Sequence, residues 1–197
     1  MRSITRALIA LTALGAMTLP VALAEAPIMG PLSSLLPSNE TNGAWTATTT
    51  PNSWTLENTS DPGDLVYFYL NPVPGTEGMR MVSTRIDVSA DASGGAGLFY
   101  GFDPQTKFYF LLVIENDELV FYRRDQTGLN MMTTTSSDAI TTGFNTLTVS
   151  ERGSEIAIAV NGNEVATIEN DVTGKGAVGV AAFGTGTFTF QGFDIAN

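Results

Sequence analysis

The chain has 197 residues, with nine Lys and Arg against twenty Asp and Glu, a net charge of −11, and neither cysteine nor histidine. That balance argues against nucleic acids and anionic membrane surfaces as partners, since both require a basic face. The two missing residue types exclude disulfides, Ser-His-Asp and Cys-His catalysis and imidazole-ligated zinc, leaving any catalysis to carboxylates, Lys, Tyr or Arg.

Met1 to Ala24 has the three parts of an export signal: Arg2 and Arg6, an apolar run from Ala7 to Leu19, and Ala22-Leu23-Ala24 before Glu25. The run is short for a membrane span, and no other stretch approaches one. The expected location is therefore secreted or periplasmic, with no membrane insertion. From Glu25 onward seven basic residues face twenty acidic ones, so that part carries −13. Residues 25–43 mix Pro, Gly and polar residues without a sustained period and read as a linker or loosely docked arm; residues 44–197 read as one domain.

Within the domain, short alternating runs follow one another. Ser53 to Asn58 and Leu65 to Leu70 flank an Asp61-Pro62-Gly63-Asp64 turn, and Asn71 to Gly75 is a loop. Met79 to Val88 alternates, and Ala90 to Gly97 (ADASGGAG) reads as a glycine-rich loop. The stretch Gly97 to Arg124 is a predicted three-strand meander. Its turns are Asp103-Pro104-Gln105-Thr106 and Asn116-Asp117, residue types that fix φ or tolerate a positive one. Phe108 to Ile114 is apolar at both parities, as expected of a strand covered on both faces, or covered on one and ligand-facing on the other.

A weak strand follows at Leu129 to Thr134, then strands at Asn145 to Glu151, Glu155 to Val160 and Glu164 to Ile168, the last two joined by Asn161-Gly162. Ala177 to Phe183 and Thr187 to Ile195 close the domain, with a bulge expected near Gly192 where the aromatic parity changes. Trp45 and Trp54 are expected in the core. Many short strands and no amphipathic helix after the signal predict an all-β sandwich or barrel.

The second half carries a familiar layout: Asn145-Thr146-Leu147-Thr148-Val149, Ile156 to Val160 with Asn161-Gly162, Gly176-Ala177-Val178-Gly179-Val180, and Phe193-Asp194-Ile195. Together with Gly97-Leu98-Phe99-Tyr100 and Phe108-Tyr109-Phe110 it resembles concanavalin A-like jelly-roll domains. The resemblance runs from about Trp45 to Asn197 and is greatest to laminin-G-like and 3-keto-disaccharide hydrolase-like domains of secreted bacterial proteins. It implies an antiparallel two-sheet jelly-roll sandwich whose concave sheet binds glycan. The E-x-D-x-x-E strand of the related glucanases is absent.

The expectation is a non-catalytic recognition domain for glycan or another extracellular ligand. The alternatives are a carboxylate-dependent glycan hydrolase or lyase, and a cell-envelope protein-interaction module. Tyr100, Tyr109, Tyr122 and Arg123, on the strands that the resemblance places in the concave sheet, are the candidate ligand residues. No cofactor is required by any motif; calcium is the one cation considered, with Asp87 and Asp91 beside the glycine-rich loop as its candidate ligands.

Overall fold

The computed structural model describes residues 28–60, 64–71, 80–170 and 176–196. The predicted signal at Met1 to Ala24, Asp61 to Gly63 of the predicted turn, and most of the Asn71 to Gly75 loop lie outside those residues. The strands are β1 (Glu40–Asn42), β2 (Trp45–Thr49), β3 (Trp54–Asn58), β4 (Val66–Leu70), β5 (Met81–Val88), β6 (Ser93–Phe102) and β7 (Tyr109–Glu115). They continue with β8 (Glu118–Asp125), β9 (Gly128–Thr135), β10 (Asn145–Arg152), β11 (Glu155–Val160), β12 (Asn163–Glu169) and β13 (Ala177–Ala196).

All pairings are antiparallel and they build a two-sheet jelly-roll sandwich. One sheet runs β1-β2-β3-β13-β5-β10-β11-β12, the other β4-β13-β6-β7-β8-β9. The two share β13. Its first part, Ala177 to Thr185, pairs with β6, and its second, from Gly186, pairs with β3 and then β5. The crossing falls at Gly184 and Gly186, whose φ values of +80° and +136° lie where L side chains are strained. The register shift expected near Gly192 is present, between Phe190 and Gly192.

The core follows from strand parity. Val82, Thr84 and Ile86 of β5, Leu147 and Val149 of β10, and Ile156, Ile158 and Val160 of β11 point inward from one sheet. Leu98 and Tyr100 of β6, with Phe110, Leu112 and Ile114 of β7, meet them from the other. Each fully buried aliphatic or aromatic side chain contributes roughly 1.5–3 kcal/mol. Trp45 and Trp54 are both in this core, as expected. Trp54 packs edge-on against Phe68 at 5.2 Å, and its indole N–H donates to the Pro37 carbonyl at 2.9 Å.

That bond belongs to a correction. From Ile28 the supposed loose arm is docked: Met29 and Leu32, at 1% and 0% exposure, are core residues around a 3-10 turn at Gly30–Leu32. Burying two apolar side chains against an otherwise open sandwich edge is favourable, but no local period announces it. A second correction concerns Ala90 to Gly97. From Ser93 this is strand, with glycine where β13 and β7 approach too closely for a side chain; a Cβ on Gly94 would lie 2.1 Å from the Phe183 carbonyl oxygen. No helix among the described residues is long and apolar enough to cross a membrane.

Candidate functional site

The outer face of the β4-β13-β6-β7-β8-β9 sheet, turned away from the core, carries a second apolar cluster: Phe99, Phe102, Leu111, Val113, Val120, Ala177 and Ala181, with Tyr69, Tyr109, Tyr122 and Phe183 packed against it. Parity explains how it forms. On β4, Val66, Phe68 and Leu70 pack against the core, so Tyr67 and Tyr69 point out. On β7, Phe110, Leu112 and Ile114 point in, leaving Tyr109, Leu111 and Val113 on the outer face. The run that is apolar at both parities is thus a strand with an apolar neighbour layer on each side. On β8, Val120 and Tyr122 project outward.

β6 needs one device more. Strict alternation would send Phe99 and Phe102 to opposite faces. Gly101, at φ +70°, sits in a register shift that sets Ala177 opposite Phe102 and Gly179 opposite Phe99, so both rings emerge on the outer side. Across the sheet the Cα partners then run Tyr69, Gly179, Phe99, Leu111, Tyr122 and Met131 in one row.

The rings make a continuous aromatic surface. Tyr67 stacks on Phe99 with centroids 4.6 Å apart and planes 8° off parallel. Tyr69 meets Phe102 edge-on at 5.0 Å, and Tyr109 lies 4.9 Å from Phe99. Such pairs each add about 0.5–1.5 kcal/mol beyond burial. Phe99 is fully buried beneath its neighbours, whereas Tyr67 is 40% exposed. The arrangement offers flat apolar faces with phenol hydroxyls around them.

The electrostatics of this face are local. The Tyr122 hydroxyl donates to Glu115 Oε2 at 2.6 Å. Burial first, and then that bond to a carboxylate, push the Tyr122 phenol well above the ordinary tyrosine range. Tyr109 is also raised by burial, against the opposing pull of Arg124. Tyr100, in the core, is raised chiefly by burial.

Folding therefore holds these phenol protons more tightly than the unfolded chain does. The stability this contributes is complete below the unfolded pKa of about 10 and is lost as pH rises beyond it. Denaturant midpoints are expected to hold up to pH ~10 and to fall above it. Tyr122→Phe, which removes one such group, should flatten the fall. An unaltered slope in the variant would mean that Tyr122 ionises as freely in the folded protein as in the unfolded chain.

The structure separates the residues singled out from sequence. Tyr109 and Tyr122 share the outer face. Tyr100 does not; it is a core residue at 1% exposure and is out of reach of a ligand on that face. Its hydroxyl donates to Glu151 Oε1, and the Arg80 guanidinium lies 5.0 Å from its ring centroid. Arg80 in turn donates to Glu151 Oε1 at 3.2 Å and to the Gly176 carbonyl at 3.0 Å. This is a buried structural network between the sheets.

Arg123 is paired in register with the core residue Phe110, and its guanidinium lies 5.3 Å from the Phe108 ring, so it belongs to the opposite side from Tyr109 and Tyr122. The outward basic residue of that strand is its neighbour Arg124, in register with Tyr109.

Asp87 lies on β5 in register with Thr189, and Asp91 is exposed in the turn before β6. Among the described residues no group of three or more Asp, Glu, His or Cys is placed to hold a metal ion. Tyr67, Tyr69, Phe99 and Phe102 were missed. The signal for the first two was legible, because Val66-Tyr67-Phe68-Tyr69-Leu70 places aliphatic residues and phenylalanine at one parity and tyrosine at the other.

No protein-family model matches the chain, and no curated protein matches it in sequence. Solved structures do match in shape. The carbohydrate binding module CBM66 from Bacillus subtilis aligns with a TM-score of 0.54 at 14% identity, covering 79% of this chain and 92% of that one. A functionally unknown protein from Saccharomyces cerevisiae aligns at 0.56 and 13% identity, covering 81% and 94%. A Bacillus subtilis protein of unknown function with a galectin-like fold aligns at 0.54 and 10% identity, covering 78% and 86%. At such identities the likeness is one of fold, and the fold it establishes is the jelly-roll sandwich of carbohydrate-binding modules and galectin-like proteins.

Proposed function

We propose that this chain is an exported, non-catalytic recognition domain that binds glycan on the outer face of the β4–β9 sheet. The observation that carries the reading is the aromatic surface of Tyr67, Tyr69, Phe99, Phe102, Tyr109 and Tyr122, with the half-open Tyr67 ring lying flat on Phe99. A pyranose presents an apolar face of C–H groups and a rim of hydroxyls, which suits a flat ring with phenol and carboxylate partners around it. Arg124 and Glu115 supply polar groups at opposite ends of β7 and β8. The shared fold of a carbohydrate binding module supports the same direction. Export rests on the Met1 to Ala24 signal, and the finer affiliation with laminin-G-like and 3-keto-disaccharide hydrolase-like domains rests on the sequence motifs between Gly97 and Ile195 alone.

A glycan-array screen of the purified protein, with calcium and with chelator, tests the proposal. Hits are expected, and Tyr67→Ala with Tyr109→Ala should weaken them by about tenfold or more, since stacking on one ring contributes on the order of 1 kcal/mol. The variant should stay folded with a lower thermal midpoint, because both rings also pack on Phe99. A blank array with folded protein, or hits unaffected by the double substitution, would sink this reading. A calcium-dependent signal would point to a cation, for which Asp87 on β5 and Asp91 in the turn that follows are the candidates.

A further inference from the structure

A different opening lies at the edge of the sandwich. Between β2 and β3 of one sheet and β4 of the other, under the arm residues 34–37, is a cavity of about 800 Å³. That is within the size of small-molecule sites, ~300–1,000 Å³. Its walls are Trp45 and Leu56 on one side and Val66 and Phe68 on the other, all members of or packed against the main core. Leu35, 51% exposed, forms an apolar lip. Two lining residues carry charge, the exposed Glu40 and Asp64, and no lysine or arginine lines the cavity among the described residues.

We propose that this cavity is a second binding site, distinct from the aromatic face, for an amphiphile with one alkyl chain and a cationic head. The walls accept the chain, because removing apolar surface from water is favourable in proportion to its area. The two carboxylates favour a cation over an anion at the opening, and the strongly acidic chain as a whole acts in the same sense. An anionic fatty acid would meet like charge at the rim.

Trp45 makes the site observable by intrinsic fluorescence. The purified protein is titrated with decyltrimethylammonium, decyl maltoside and decanoate, each below its micelle concentration. Saturable one-to-one binding of the cation is expected, with decanoate binding at least about tenfold more weakly and the maltoside between them. Ala44→Phe, at an exposed lining position, should abolish binding of the cation without unfolding the protein. Glu40→Gln with Asp64→Asn should reduce the cation to the affinity of the maltoside and leave the maltoside unchanged. Unaltered cation binding in either variant, or decanoate binding as tightly as the cation, overturns the proposal; the first result would mean adsorption elsewhere on an acidic surface.

Discussion

Replacing Glu151 by alanine is expected to lower the unfolding free energy by about 3–5 kcal/mol, a large share of the ~5–15 kcal/mol typical of a domain. The reason is what stays behind. Arg80 is 5% exposed, and the Glu151 carboxylate is the anion that neutralises it at 3.2 Å while accepting the Tyr100 hydroxyl. Without that carboxylate a guanidinium remains buried against an aromatic ring, and a phenol loses its acceptor. The pair itself need not be stabilising: Arg80→Met with Glu151→Leu should recover part of the loss, because no charge is left buried, while the Tyr100 hydroxyl and the Gly176 carbonyl still lose their partners. The contrast within the same chain is Arg152 and Glu164, 2.7 Å apart but about half exposed, where Glu164→Ala should change stability by less than ~1 kcal/mol. Urea unfolding of the three variants beside the parent protein measures all of this. A cost below ~1 kcal/mol for Glu151→Ala would show that water reaches Arg80.

Gly184→Ala is expected to be comparably harmful, at about 2–5 kcal/mol, or a fall in thermal midpoint of roughly 5–20 °C. Two costs combine at one atom. At φ +80° a side chain is strained, by about 1–2 kcal/mol, and the added Cβ would sit 2.2 Å from the Ser93 carbonyl oxygen and 2.7 Å from the Gly94 Cα. Those are backbone atoms of a paired strand and cannot rotate aside. The control is Gly143→Ala, at φ +86° with open space around the new methyl, which should show the conformational cost alone. Equal losses in the two variants would rule out the steric part of the explanation.

Much of the architecture was readable because its signals are short-range. Asn116 and Asp117 turn at φ +51° and +60°, and Asn161 and Gly162 at +50° and +80°, the backbone that such pairs favour in tight hairpins. The candidate face was half readable. Tyr109 and Tyr122 follow from alternation once their strands are placed. Tyr100 was misplaced because β6 pairs with neighbours that are apolar on both sides, so hydrophobicity could not say which face was the core. Its face follows alternation with Ala96 and Leu98, but which parity of β6 is the core is set only by pairing with β7 across the sheet. The docked arm was lost for the same physical reason: the partners of Met29 and Leu32 are far away in sequence, and nothing in the residues beside them declares the contact.

The sharing of β13 has a bearing on how the chain is made. Residues 177–196 provide neighbours to β3, β4, β5 and β6, elements that begin more than a hundred residues earlier in synthesis or close to it. Until that last segment emerges, β6 and β5 each expose an unpaired, apolar edge, and local hairpins such as β7-β8 and β10-β11 are all that can persist. Closure of both layers then occurs in one late, long-range event, which carries a high loop entropy and makes folding slow relative to a helical domain of equal size. A nascent chain of this kind stays open until residues 177–196 have been added. Chaperone engagement should accordingly last until β13 is free, and a chain halted before Ala177 should remain sensitive to protease throughout.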